Sequence, residues 1–435
     1  MSRLTGEPLE AVDSAWLRME TPVNLMTITG VLTLAESLPF ERFRRLIEER
    51  LVVYDRFRMR VVPSEGASGR ARWVEEGFSL DDHVERAELR NSQSKAELQD
   101  LVSRQMSTPL DYDKPLWRFW FVEDFRGGSA LVARIHHCIG DGMGLMKVIL
   151  GMADPVDVTV PQVGPKRSGT EARHENVARR SKLLEAVRVS GSATKALARL
   201  LTLKSDPLTR FKGTLGTEKR AVWSERTPLA SVKSLGAELG GTINDVLLTA
   251  ATGAMRAYLL DRGEKIDGLD VRATVPVNLR PPEDVSLGNK FGLVFLSLPV
   301  GLADPLGRLR ELKRRMDRLK RSPEAFVVFG VLKVLGKAHA ELQSRVVSIL
   351  SKNATAVMTN VPGPRGPLAL CGREIDHMMF WVPQSGDVAL GVSILSYNEG
   401  VRVGFATDRG LIPDPEALIE GFHGSLAELE TAARS

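Results

Sequence analysis

The chain has 435 residues, 43% of them hydrophobic and 26% charged, the make-up of an ordinary globular protein with ample material for a core. Its 2 cysteines, Cys138 and Cys371, exclude a disulfide framework and point to a reducing compartment, while the net charge of +5 comes from 59 basic and 54 acidic residues. No run of about eighteen uncharged apolar residues occurs, which excludes a membrane-spanning helix, and Met1 to Glu7 lacks the apolar core of a signal peptide, so a cytoplasmic location is expected.

Taken in chain order, Met26 to Leu34 alternates large apolar side chains with Thr and predicts a strand. Phe40, Phe43, Leu46, Ile47 and Leu51 then line one face of a helix. Trp117 to Val122 and Leu131 to Ile135, separated by a turn at Arg126-Gly127-Gly128, predict an antiparallel hairpin. It leads into His136-His137-Cys138-Ile139-Gly140-Asp141-Gly142, after which Gly144 to Leu150 predicts a short helix.

From about Pro155 to Val222 the pattern loosens into a long crossover, partly helical. Between Lys166 and Arg220 stand about fourteen basic and five acidic residues, so this segment carries the basicity of the whole chain. The second half begins near Trp223. Its strongest helix runs from Ile243 to about Leu260, opened by Thr242 and Asp245 in the pattern of a capping box and closed by Gly263. Strands are expected at Val271–Val277, Phe291–Val300, Thr355–Val361, Val388–Leu395 and Val401–Ala406. Between Arg308 and Arg321, Leu309, Leu312, Met316 and Leu319 fall at helical spacing beside Lys313, Arg314, Arg315, Arg318 and Lys320, an amphipathic helix with a basic face. Ala325 to Leu335, which includes Lys333, is read as a short buried helix. The expected fold class is α/β, with sheet-bearing halves at 1–155 and 223–435 joined by a basic crossover at 156–222.

The two-histidine turn carries the chemistry. An imidazole with an ordinary pKa near ~6.5 can take a hydroxyl proton at neutral pH and return it to a leaving group. Gly140 and Gly142 let the backbone pass close to such a base, or relieve local strain. His136 and His137 could instead be structural histidines, and Cys138 could be a nucleophile, although a catalytic thiol needs its base across from it rather than next door. No metal is expected, because adjacent residues at a strand end point in opposite directions and no second ligand cluster is evident. Nucleic acid is not an expected partner either, since aromatic interleaving and a reading motif are absent.

Several landmarks occur together: Leu9-Glu10-Ala11-Val12-Asp13-Ser14-Ala15-Trp16-Leu17, Pro115-Leu116-Trp117, the double-His turn, Asn244-Asp245, Pro276-Val277-Asn278-Leu279-Arg280, Gly288-Asn289-Lys290-Phe291-Gly292 and Asn360-Val361-Pro362-Gly363-Pro364. In this order, over nearly the whole chain, they resemble the bacterial wax ester synthase/diacylglycerol acyltransferase family of the chloramphenicol-acetyltransferase-like superfamily. The resemblance implies two similar sheet-and-helix domains with an active-site channel between them. It implies long-chain acyl transfer from acyl-CoA, a substrate and not a cofactor, to a fatty alcohol or diacylglycerol. His137 would be the general base, with no covalent intermediate, and His136 and Asp141 would accompany it.

The resemblance also makes Asp141 a support paired with an arginine, for which Arg280 is the candidate. Gly142, Trp117, Asn244 and Asn278 are the candidate substrate-binding residues. Asn278 could donate to an oxyanion or satisfy a turn, Trp117 could pack the core or wall the channel, and Asp245 reads as a helix cap. The basic crossover would suit an anionic membrane or a lipid-droplet surface. A condensation-type enzyme using carrier-bound acyl groups, and a non-catalytic lipid-binding protein on the same scaffold, remain alternatives.

Overall fold

The computed structural model describes residues 6–63, 71–156, 205–280, 287–335 and 352–434. In chain order the principal elements of the first part are α1 (Ala11–Met19), β1 (Thr27–Leu34), α2 (Phe40–Arg50), β2 (Val84–Arg86), α3 (Lys95–Met106), β3 (Trp117–Phe125), β4 (Gly128–His136), α4 (Gly142–Met152) and β5 (Asp154–Pro155). There follow β6 (Lys219–Trp223), β7 (Thr227–Pro228), α5 (Leu229–Glu238), α6 (Ile243–Asp261), β8 (Val271–Asn278), β9 (Phe291–Leu298), α7 (Pro305–Lys320), α8 (Glu324–Leu335), β10 (Ala356–Pro362), β11 (Leu368–Leu370), β12 (Arg373–Trp381), β13 (Leu390–Tyr397), β14 (Gly400–Asp408) and α9 (Glu416–Arg434).

Two seven-stranded sheets organise these elements. The first has the order β2-β3-β4-β1-β12-β11-β5, and the second β7-β14-β13-β10-β8-β9 with β6 also paired to β14. Most of the crossover, 157–204, lies outside the described residues. Sequence periodicity missed β11 and β12, and these strands amend the division of the chain at 222. They leave the second half to join the first sheet, where β12 runs antiparallel to β1 from Trp381 opposite Thr29 to Ile375 opposite Leu34. The physical reason is edge protection. With seven of its eight residues buried, β1 would present an unpaired apolar edge if only β4 lay beside it.

Helix α6 is held by a capping box in which Thr242 accepts from the Asp245 N–H and the Asp245 carboxylate accepts from the Thr242 N–H. It is buried almost all round beneath the second sheet, which explains its unbroken apolar character. Separate cores fill the two halves, and a smaller one joins them. That third cluster, Val12, Trp16, Met19, Met26, Phe291, Val327, Val328 and Leu332, brings α1 and α8 against the start of β9.

Candidate active site

Strand β4 ends at His136, and the chain then turns so that the two imidazoles leave in different directions. The turn is pinned on both sides: the His137 N–H donates to the Met26 carbonyl at 2.7 Å, and its own carbonyl accepts from Asn289 Nδ2 at 2.8 Å. The His137 ring lies against the indole of Trp16, with centroids 4.3 Å apart and planes at 19°, and Phe291 sits 5.5 Å away. The residue is only 3% exposed and its Nδ1 is buried without a well-formed hydrogen bond. Burial pushes its pKa down to about 4, outweighing the attraction of Asp141, so the ring is an unprotonated base at neutral pH.

His136 faces elsewhere. Its Nδ1 accepts from the Cys138 N–H at 3.0 Å, which places its proton on Nε2, and Nε2 lies 3.2 Å from Glu20 Oε2 in a bent contact. Glu20 also accepts from Tyr112 Oη at 2.9 Å and from the Met26 N–H at 2.8 Å. Burial opposes ionisation of Glu20, but His136, Met26 and Tyr112 together hold its pKa below the usual range.

Asp141 is the N-cap of α4, accepting from the Gly144 N–H at 2.7 Å. Its other oxygen accepts from Arg280 Nη2 and from the Lys290 N–H, each at 2.9 Å. Arg280 also donates to the Gly288 carbonyl at 2.7 Å, and Gly140 bridges Gly288, so the motif turn is stitched to the loop before β9. Gly288 takes a φ of 103°, a region closed to most side chains, where it passes Asp13 and Arg56. Asp13 is fully buried and accepts from Asn289 Nδ2 at 2.8 Å and Arg56 Nη1 at 3.0 Å, while Arg56 reaches the Ile139 carbonyl at 2.9 Å.

Beside this turn, under the first sheet, lies a narrow cavity of about 70 Å³. Its wall is apolar throughout and includes Gly142, Leu145, Ile149, Ala133, Phe43 and Met378. A side chain added at Gly142 would meet no atom within 4 Å.

The wax ester synthase/diacylglycerol acyltransferase catalytic-domain model matches residues 9–247, more than half of the chain, and the C-terminal domain model of the same family matches residues 287–430. The chain belongs to this acyltransferase family. A Mycobacterium tuberculosis protein bearing the name diacylglycerol O-acyltransferase is 27% identical, over 97% of this chain and 90% of its own. The solved wax ester synthase/diacylglycerol acyltransferase from Marinobacter aquaeolei VT8 superposes with a TM-score of 0.74 at 22% identity, covering 99% of this chain and 100% of that one. The first condensation domain of the calcium-dependent antibiotic synthetase has the same fold, with a TM-score of 0.63 at 16% identity over 99% of this chain and 97% of its own.

Within the family fold, the candidates from sequence take different places. His137, Asp141, Arg280 and Gly142 meet at one turn. Every contact described for His136 and Asp141, both grouped with the base from sequence, goes to the scaffold, and Asp141 pairs with Arg280 as the resemblance implied. Trp117 is corrected from substrate contact to core: it is 1% exposed, stacks on His83 at 4.5 Å and donates from Nε1 to the Phe57 carbonyl at 2.8 Å. Asn278 is exposed, and its Oδ1 accepts from the Arg280 N–H at 3.0 Å, the turn role. Asn244 accepts from Asn360 Nδ2 at 2.8 Å, tying α6 to β10. Asp245 is the buried cap.

Cys138 is wholly buried, and burial pushes its thiol pKa well up, which disfavours the thiolate a nucleophile needs. The basic face of α7 is largely neutralised within the protein: Arg308 pairs with Glu428, Arg314 with Glu311, Arg315 with Glu311 and Asp270, and Lys313 and Lys320 with Asp317. No described helix is long and apolar enough to cross a membrane. Sequence reading missed Asp13, Trp16 and Glu20 as site residues. For Asp13 and Trp16 the signal was there in their spacing of three, which puts them on one helical face; Glu20 follows the end of that helix with extended backbone.

Proposed function

We propose that this acyltransferase moves a long-chain acyl group from acyl-CoA to a fatty alcohol or diacylglycerol, with His137 as general base. The observation that carries the reading is the wholly apolar cavity opening beside Gly142, five residues after that imidazole, because a hydrocarbon chain gains about 0.8 kcal/mol for each methylene it buries. In this reaction His137 takes the hydroxyl proton as the oxygen attacks the thioester carbonyl, the carbon–sulfur bond breaks, and the proton passes to the departing CoA thiolate. The depressed pKa keeps the ring in its proton-accepting form. Substrates approach an enclosed ring, so side chains around Phe291 yield as they enter while Trp16 stays against the imidazole. The reaction asks for no cofactor.

The test is release of free CoA thiol from palmitoyl-CoA with hexadecanol or a diacylglycerol as acceptor. The native chain is expected to release thiol only when an acceptor is present, and His137→Ala is expected to lower the rate by roughly 10³-fold while acyl-CoA still binds. Unchanged turnover in that variant would remove the base from the scheme. Turnover only with carrier-bound acyl groups would instead favour the condensation-type reading. The lysines and arginines of the basic crossover, other than Lys219 and Arg220, which pair with Asp408 and Glu416, are proposed to hold the enzyme reversibly at an anionic lipid surface, at about 1 kcal/mol per residue engaged. Flotation with anionic vesicles, and not with neutral ones, is the expected outcome; equal flotation with both would dismiss it.

A further inference from the structure

We propose that the face of α1 formed by Asp13, Trp16 and the adjoining Glu20 is a positioning surface for His137, holding the ring by stacking and the turn through Asn289 and His136. This rests on the reading of His137 as the base. A base histidine is ordinarily oriented by an acceptor at its second ring nitrogen. No carboxylate serves that purpose here: Nδ1 is buried with only a poorly formed contact to the residue's own backbone, and the motif carboxylate, Asp141, is occupied by Gly144, Lys290 and Arg280. The task of fixing the ring plane falls to what lies against it, and that is the Trp16 indole, nearly parallel at 4.3 Å.

The same face fixes the backbone that carries the ring. Asp13 takes both the N–H and the side-chain amide of Asn289, and that amide in turn holds the His137 carbonyl. Glu20 holds the Met26 N–H, whose carbonyl takes the His137 N–H, and draws in His136, whose Nδ1 takes the Cys138 N–H. Two side chains one turn apart on a nine-residue helix, and a third from the extended residue that ends it, thus reach the ring, the residue's carbonyl and its amide. Trp16 touches no reacting atom in this scheme. It acts through His137 and is a positioning residue.

The titratable and charged groups around the ring are Asp141 and Arg280 from the motif turn and its partner loop, His136 and Cys138 beside it, and Asp13, Glu20 and Arg56 behind it. Trp16→Ala leaves these charges in place and removes apolar cover from the imidazole. Its expected effects are a kcat roughly 10²-fold lower with the KM for acyl-CoA within about threefold, and an imidazole titration moved up from about 4 toward the ordinary range. Trp16→Phe, which retains an aromatic face, is expected to recover most of the loss. A kcat within threefold of the parent, or a Phe variant no better than Ala, overturns the proposal.

Nitrogen-detected NMR of the His137 ring gives a readout independent of turnover. An unshifted titration in Trp16→Ala overturns the positioning role even if the chain catalyses another reaction, and loss of thiol release in His137→Ala tests the base separately. Should Trp16→Ala not fold, Glu20→Ala carries the test. It is expected to lower kcat about tenfold or more, and to cost little further in a His136→Ala background, because both act on one turn. Additive losses, or no loss, overturn the proposal.

Discussion

At the scale of single residues, burial decides which groups at the turn can do chemistry. Desolvation lowers His137 and raises Cys138, so the first is a free base at neutral pH and the second a thiol. Cys138→Ser is expected to keep turnover within about threefold, measured by thiol release, because no thiolate is used. The same burial writes a pH dependence into folding. His83, His137 and His377 all have folded pKa values below their ordinary ones because burial disfavours the imidazolium. The unfolded chain therefore binds more protons than the folded one below pH ~6.5, and stability falls as pH drops through that point toward 4. Burial shifts Asp13 the other way, and its contribution opposes the histidines. Thermal melts from pH 7.5 down to 5 are expected to show a declining Tm that His377→Gln, away from the turn, makes shallower. A flat profile would mean that these rings titrate alike in both states.

At the scale of elements, the Asp141–Arg280 pair joins α4 to the segment after β8 with both side chains at least 95% buried. Arg280→Ala leaves the carboxylate uncompensated, at an expected cost of about 3–5 kcal/mol in denaturant unfolding. Asp141→Asn removes the charge but keeps an oxygen for the Gly144 N–H, so its loss is expected to be smaller. A second close approach sets how α8 sits on β9. A Cβ at Gly292 would stand 1.9 Å from the Ala325 carbonyl oxygen, so Gly292→Ala must push α8 away, and with it the cluster that backs Trp16. Reduced soluble expression or a lowered Tm is the expected result. The basic stripe of α7 belongs to this scale as well. Its lysines and arginines look like a docking face in one dimension, but Glu311, Asp317, Asp270 and Glu428 neutralise much of it.

At the scale of the whole molecule, the two halves are not separable in the way a linear cut suggests. Strands β11 and β12, from late in the chain, complete the first sheet by covering the long edge of β1. A fragment ending at residue 222 is expected to be insoluble or aggregated by size-exclusion chromatography, because that apolar edge would be open. The cavity also belongs to the assembled molecule, since Met378, Phe380 and Leu395 from the second half line it together with Ile28, Leu131 and Ala133. Ala133→Phe is expected to raise the KM for palmitoyl-CoA several-fold while sparing a short acyl-CoA, as read from thiol release; equal effects on both would place the chain elsewhere.

What the sequence by itself determined is whatever local pattern and short-range chemistry control. The alternation of Thr27 to Leu34, the capping pair Thr242 and Asp245, the run of second-half strands and the position of the two-histidine turn follow from periodicity and turn residues within a few neighbours. The family landmarks carried the fold class by resemblance. Tertiary structure alone decided which side chains face one another. It sent His136 to Glu20, committed Trp117 to the core, spent Asn278 on a backbone N–H and brought Trp16 from α1 onto the His137 ring. The physical reason is distance along the chain: the partners of the turn at 136–142 come from residues 13–27, 56, 112–116, 280 and 288–291, and no local periodicity encodes contacts that only the closing of two sheets creates.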